Sequence, residues 1–218
     1  MSKVMTIEQA VDPLKNGQSI MVSGFGGLGS PHSIIDGIVE KGINDLTIIC
    51  NDAGKPNFGV GRFFANRTVK KLLASFIGPN PQAGEMFNNH EVEIDLIPQG
   101  TLAESIRSGG AGLGGILTKT GIGTLVQGDK QLVTINNETY MVEPSIKADV
   151  AIVYAQKADT LGNLVYKGAS RAHGPNMATA ADYVIAEVEE IVEAGMLSPE
   201  EIHTQSIFVD AVVLKVGK

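Results

Sequence analysis

Short apolar runs alternate with amphipathic segments along most of this chain, and that alternation limits its fold more than any other feature. SIMV at 19–22, LTIIC at 46–50, VKKLLAS at 69–75, VEIDLIP at 92–98, ADVAIVYA at 148–155, YVIAEVEEIV at 183–192 and SIFVDAVVLKV at 206–216 all read as strands. Between the first two lies SPHSIIDGIVEKG, a helix with Ser30 as N-cap and Pro31 at the first helical position. Its apolar face is Ile34, Ile35, Ile38 and Val39, and Lys41 then Gly42 end it. QAGEMFNNH at 82–90 and PNMATAAD at 175–182 are further helix candidates. Strands that are apolar nearly throughout, separated by helices, predict an α/β fold with an open, mostly parallel sheet and helices on both faces. LVTI and ETYMV, flanking Asn136-Asn137, add a small antiparallel hairpin insertion, a flap at about 130–143. Without a linker, low-complexity stretch or internal repeat, the expectation is a single domain over 1–218.

Several function classes drop out on composition. The formal net charge is -7 and no Lys/Arg block occurs, so the footprint for nucleic acid is missing. Apolar stretches are interrupted well short of the roughly 18 residues that span a bilayer, and the first fifteen residues hold no signal-peptide core, which predicts no membrane association and a cytoplasmic location. Cys50 is alone, with no disulfide partner or CxxC context, and reads as a reduced packing residue. His32, His90, His173 and His203 show no metal-binding spacing, so no metal is expected, and no G-x-S-x-G points to a serine hydrolase.

The glycines carry the sharper signal. They cluster at 24–29, 54–61 and 109–123. Gly24, Gly26 and Gly29 fit G-x-G-x-x-G after a strand and before a helix, and Asp52 follows the second strand where a ribose-binding acid would stand, so an NAD-dependent oxidoreductase is one reading. Against it, the last glycine of that fingerprint lies within the helix, whereas Gly29 precedes Ser30-Pro31, the predicted helix start. A loop rich in N–H groups at a helix N-terminus would suit a phosphate in either case, and a purely structural turn remains open. Further on, IDLIPQGTLAESIR sets Pro98, Gln99 and Gly100 at the carboxyl end of a strand, with Thr101 and Glu104 spaced as a capping box. The Gln99 amide offers a donor and an acceptor without charge, suited to orienting a carboxylate or thioester oxygen. RSGGAGLGGILTKTGIGTLV at 107–126 is too glycine-rich for a helix and too apolar for a solvent linker.

Taken in order, these loops resemble the A (alpha) subunit of the family I CoA-transferases, the 3-oxoacid and short-chain fatty acid type, over nearly the whole chain. The family's first signature is matched by Asn16-Gly17, Ile20-Met21-Val22, Gly24-Phe25, Gly29 and Pro31, with Ser23 where a glycine is usual. PQGTLAE, SGGAG, TKTGIGTLV and KADTLGNLVYKGASR extend the match. The resemblance implies transfer of CoA between a short-chain acyl-CoA and a free carboxylate such as acetate, acetoacetate or butyrate, by ping-pong exchange through a glutamyl-CoA thioester. The nucleophilic glutamate of such enzymes lies in an S-E-N-G-like motif, absent here. The glutamates of this chain, including the acidic stretch from Glu187 to Glu201, lack that context, and most read as solvated helix or strand-end charges. The resemblance therefore implies no catalytic nucleophile in this chain, a partner beta subunit that carries it, and a hetero-oligomer of A2B2 form or larger. It further implies a CoA-binding loop of Gly24, Phe25, Gly26, Gly27, Leu28, Gly29 and Ser30, an acyl and carboxylate site at Gln99, Asn51, Gly109 and Gly110, and no tightly bound cofactor, coenzyme A entering as substrate.

Overall fold

The computed structural model describes residues 2–217. A short helix α1 (Ile7–Val11) leads into β1 (Ser19–Val22), α2 (His32–Glu40), β2 (Leu46–Cys50), α3 (Gly61–Ala65), β3 (Val69–Ala74), α4 (Pro81–Asn88), β4 (Glu93–Leu96) and α5 (Gln99–Gly110). Three strands follow, β5 (Gly115–Thr118), β6 (Leu132–Ile135) and β7 (Glu138–Pro144). The chain closes with β8 (Ala148–Asp159), β9 (Leu164–Val165), α6 (Gly174–Thr179), β10 (Ala181–Val192) and β11 (Ala211–Leu214).

Seven strands make a parallel path in the order β11-β10-β8-β1-β2-β3-β4, and β9 folds back antiparallel on β8 to complete an eight-stranded sheet. From β1 the chain steps outward to β4, then returns to the other side of β1 with β8 and steps outward again. The order therefore reverses between β1 and β8, and in open α/β sheets ligands bind beyond the carboxyl ends of the strands at such a point. Burial explains why the strands lack polar alternation, since both faces are covered. One face holds Ile20, Val22, Ile48 and Ile152 against Ile34, Ile35, Ile38, Phe63 and Phe64 from α2 and α3. The other sets Met21, Ala151 and Val153 against Leu102 and Ile106 of α5 and Met177 of α6. Each of those large side chains, fully buried, contributes about 1.5–3 kcal/mol from apolar burial.

The flap is larger than a hairpin. Asn136 and Asn137 take φ of 51° and 64°, the backbone that a tight type I′ turn needs, and join β6 to β7, but β5 pairs with the other edge of β7.

Four local expectations are corrected. The glycine-rich segment from Arg107 is not free of helix: α5 runs through Ser108 and Gly109 to Gly110, where the packing is so close that a Cβ on Gly109 would lie 2.1 Å from the Ile146 carbonyl oxygen. Thr101 and Glu104 form no capping box, since α5 starts at Gln99 with Pro98 before it; Thr101 instead faces inward, its hydroxyl buried without a hydrogen-bond partner, and Glu104 pairs with Arg107. The last strand covers only Ala211–Leu214, because Ser206–Phe208 coils into a 3-10 turn ahead of it. Finally, α2 begins at His32 and not at Pro31, and Ser30 gives it no side-chain cap.

Candidate active site

Four strand ends on the carboxyl edge supply the site, and each end delivers one segment. After β1 comes the loop Gly24–Ser30, after β2 Asn51-Asp52, after β3 Ser75-Phe76, and after β4 Pro98-Gln99. Residues of all four line a cleft of about 340 Å³, Phe25 and Gly26 from the first, and its wall combines the rings of Phe25 and Phe76 with the polar side chains of Asn51 and Gln99 and with Lys55.

A hydrogen-bonded chain runs along its floor. Gln99 Nε2 donates to Asn51 Oδ1 at 2.7 Å, and Asn51 Nδ2 donates to Asp52 Oδ2 at 2.8 Å. The same Asp52 oxygen accepts the Gly26 N–H at 2.8 Å, while its other oxygen accepts the Gly54 N–H at 3.0 Å. Ser75 Oγ donates to the Asn51 carbonyl at 2.7 Å. Asn51 is thus held at both backbone and side chain, whereas Gln99 stays exposed with its amide oxygen and second N–H free for a ligand.

The glycine loop is a tight reverse turn in which Phe25 and Leu28 exchange backbone hydrogen bonds of 2.9 and 3.0 Å. Glycine is required there. Gly24 sits at φ +120°, and Gly27 at φ +90° faces Phe58 so closely that a Cβ would lie 2.2 Å from the ring. Ser23, standing where a glycine is usual in the family, adopts no left-handed backbone; its hydroxyl donates to the Gly29 carbonyl at 2.8 Å and accepts the Tyr154 N–H at 3.0 Å. The serine thereby ties the far end of the loop to β1 and β8. Among the described residues, the N–H groups of Gly24, Gly27, Gly29 and Ser30 meet no protein acceptor.

Three features remove the dinucleotide reading. Asp52, 8% exposed, engages both oxygens with the protein's own N–H groups and cannot serve a ribose. Gly29 lies outside α2. The helix N-terminus, expected to be free for an anion, is already occupied: Glu187 Oε2 accepts the Ser33 and Ile34 N–H groups at 2.7 and 3.1 Å, the Ser30 carbonyl takes the His32 N–H, and the Pro31 carbonyl the Ile35 N–H. Glu187 is therefore no solvated charge; it is fully buried.

Of the residues the sequence singled out, the structure brings together the Gly24–Ser30 loop, Asn51 and Gln99. It does not bring Gly109 and Gly110 to them. These lie at the other end of α5, about 15 Å along its axis, where Gly109 abuts Ile146 and Gly110 abuts Thr179. Sequence reasoning missed His173, whose Nε2 lies 3.3 Å from Asn51 Oδ1 and whose burial holds its pKa below the usual histidine value. It missed Ser75 as well. Nothing in local spacing pairs His173 with Asn51, since 122 positions separate them. His32 leans on Phe58 with ring centroids 4.5 Å apart, and burial lowers its pKa too. Cys50 is buried, its thiol donating to the Asp52 carbonyl at 3.2 Å and pushed up in pKa by desolvation and the nearby Asp52 charge.

A doubly wound sheet with an amide pair in a cleft at its carboxyl edge places the chain among the α/β proteins whose strand ends form a site of small-molecule size. More particularly, the chain belongs to the coenzyme A transferase family, whose model matches residues 4–215. It is 42% identical over 213 residues to the acetate CoA-transferase subunit alpha of Escherichia coli K12, covering 98% of this chain and 97% of that one. It is 43% identical to the acetoacetyl-CoA:acetate/butyrate CoA transferase alpha subunit of Clostridium acetobutylicum, covering 97% of each. Among solved structures, an acyl-CoA transferase from E. coli O157:H7, in a thioester complex with CoA, shares the fold with a TM-score of 0.89 at 21% identity. That match covers 98% of this chain but 49% of the longer one, so the chain spans about half of that protein.

Proposed function

We propose that this chain is the non-nucleophilic alpha subunit of a two-component CoA-transferase that moves CoA between a short-chain acyl-CoA or 3-oxoacyl-CoA and a free short-chain carboxylate. The observation that carries this reading is a cleft floored by neutral amides whose one carboxylate, Asp52, is engaged at both oxygens. Such a floor can orient a thioester or carboxylate oxygen but supplies no nucleophile, which fits a glutamate delivered by a beta subunit.

In this scheme the partner's carboxylate attacks the thioester carbonyl, the C–S bond breaks and CoA leaves as a thiolate with a mixed anhydride formed. The thiolate then attacks the glutamyl carbonyl carbon, releasing the first carboxylate and leaving a glutamyl-CoA thioester; the acceptor acid runs the sequence in reverse. Gln99 donates its free N–H to the oxygen on which charge develops, with Asn51 fixing the amide from behind. The unpaired N–H groups of Gly27 and Gly29, in the partly exposed stretch of the loop, receive the anionic part of CoA, and Phe25 and Phe76 cover its apolar part. The assembly is a hetero-oligomer with at least one beta subunit per alpha chain.

The test is CoA exchange between acetoacetyl-CoA and labelled acetate or butyrate, with this chain alone and with its beta subunit. Exchange only with both chains, and borohydride trapping of a modified glutamate on the partner, is the expected outcome. Exchange by this chain unaided would refute the reading.

A further inference from the structure

The Phe25–Leu28 pair closes the turn of the glycine loop from within, but how that turn sits on the sheet depends on anchors from outside, because Gly24, Gly26, Gly27 and Gly29 all take positive φ. Two are described above: Ser23 takes the Gly29 carbonyl, and Asp52 takes the Gly26 N–H. The third comes from the opposite half of the sheet. Glu187 lies in β10, two strands from β1 in the sheet order, on the face that packs against α2. Its Oε2 bonds the first-turn N–H groups of α2, three residues beyond the end of the loop, while Oε1 is buried with no partner.

This is an uneconomical way to build a cap if only the helix mattered. A local serine or aspartate would serve, because a cap needs one oxygen at the helix start. A carboxylate with an orphaned buried oxygen carries a desolvation cost, and burial does raise the Glu187 pKa above the usual carboxylate range, against the opposing effect of the Ser33 and Ile34 N–H groups and of Lys215. What a distant cap adds is a tie between β10 and the amino end of α2. Ser30 supplies no such cap, since no side-chain cap hydrogen bond is made at the start of α2.

We infer that Glu187 is a positioning residue for the Gly24–Ser30 loop, fixing the amino end of α2 so that the partly exposed Gly27 and Gly29 present their free N–H groups in one geometry to the acyl-CoA. A corollary is that the ligand's anionic groups meet the loop and not the helix end, where a carboxylate already stands. The anchoring stands on the hydrogen bonds alone; its consequence for acyl-CoA rests on the proposed function.

Hydrogen exchange on the full chain tests the anchoring directly, comparing wild type with Glu187→Gln, which keeps one acceptor oxygen in the same volume, and Glu187→Ala. Amides in 24–35 are expected to exchange at least about tenfold faster in the alanine variant, which loses both hydrogen bonds to the carboxylate, with the glutamine variant between. Amides of β2 and β3 should be unmoved. Exchange unchanged in 24–35, or raised equally everywhere, overturns the anchoring; if the alanine variant does not fold, the glutamine variant decides by the same criterion. With the beta subunit present, KM for acyl-CoA should rise about tenfold while KM for the acceptor carboxylate and kcat hold. A fall in kcat at constant KM overturns the positioning role. Localised fast exchange in a protein whose wild type carries out no CoA exchange would refute the functional reading and leave the anchoring in place.

Discussion

Replacing Asp52 with alanine separates two descriptions of the same residue. As a ribose ligand, its carboxylate would be idle in the ligand-free protein and its loss would leave stability alone. In the structure it accepts from Gly26, Gly54 and the Asn51 side chain at 2.8, 3.0 and 2.8 Å, while 8% exposed, and so bolts the β1 and β2 loops together. A hydrogen bond to a charged group contributes about 1.5–3 kcal/mol, and neighbouring bonds do not add fully, so losing the two backbone donors' acceptor should cost about 3 kcal/mol. For a chain of this size each kcal/mol moves Tm by about 2–4 °C, which puts the alanine variant about 6–12 °C below wild type. An Asp52→Asn variant would keep one acceptor and turn an amide N–H₂ toward the other loop, so it should fall between. Thermal unfolding by calorimetry, paired with guanidinium titration, measures both. A Tm for Asp52→Ala within about 2 °C of wild type would refute the bolting.

The glycines of two helices should respond with opposite signs. Gly84→Ala in α4 meets nothing within 4 Å and should stabilise by about 0.5–1 kcal/mol, whereas Gly109→Ala would drive a Cβ to 2.1 Å from the Ile146 carbonyl oxygen and should cost about 2 kcal/mol; chemical denaturation reads both. Gln99→Ala should lower CoA exchange about 100-fold in the two-subunit enzyme with Tm unchanged, because Gln99 is exposed and, among the described residues, its side chain bonds only Asn51; retained exchange would remove it from the site. His32, His173 and His203 all have pKa values lowered mainly by burial, so the folded state favours their neutral forms. Their contribution to stability is full above the unfolded value of about 6.5 and is lost as pH falls below it toward the folded values. Tm measured from pH 7.5 down to 5.5 should therefore fall, and a His32→Gln/His173→Gln double variant should fall less steeply.

The sequence determined what repeats along the chain. Strand identity followed from runs such as LTIIC and ADVAIVYA, apolar on both faces because helices cover both, and the Asn136-Asn137 turn followed from two residues that tolerate positive φ. The family was legible for the same reason: the loops after β1 and β4 are short, contiguous and composed of residue types their backbone demands. Helix limits were less legible. Thr101 and Glu104 have the spacing of a cap, yet Thr101 faces the interior, and the segment holding Gly109-Gly110 looks too glycine-rich for a helix, yet they continue α5 because packing on Ile146 and Thr179 needs their lack of a Cβ. Only the tertiary structure decided the roles of the charged groups. Asp52 keeps the same neighbours in sequence whether it awaits a ligand or ties two loops, and Glu187 sits in an acidic stretch that looks solvated until β10 is placed beside β8. The parity of the strand did mark it, since Glu187 shares a face with Tyr183 and Ile185, but which helix end that face meets depends on a chain reversal between β1 and β8. His173 reaches Asn51 by the same reversal. Hydrophobic period and turn chemistry act over a few residues and can be read in order, whereas a hydrogen bond across 154 positions, like that from Ser33 to Glu187, exists only once the sheet has set its strand order.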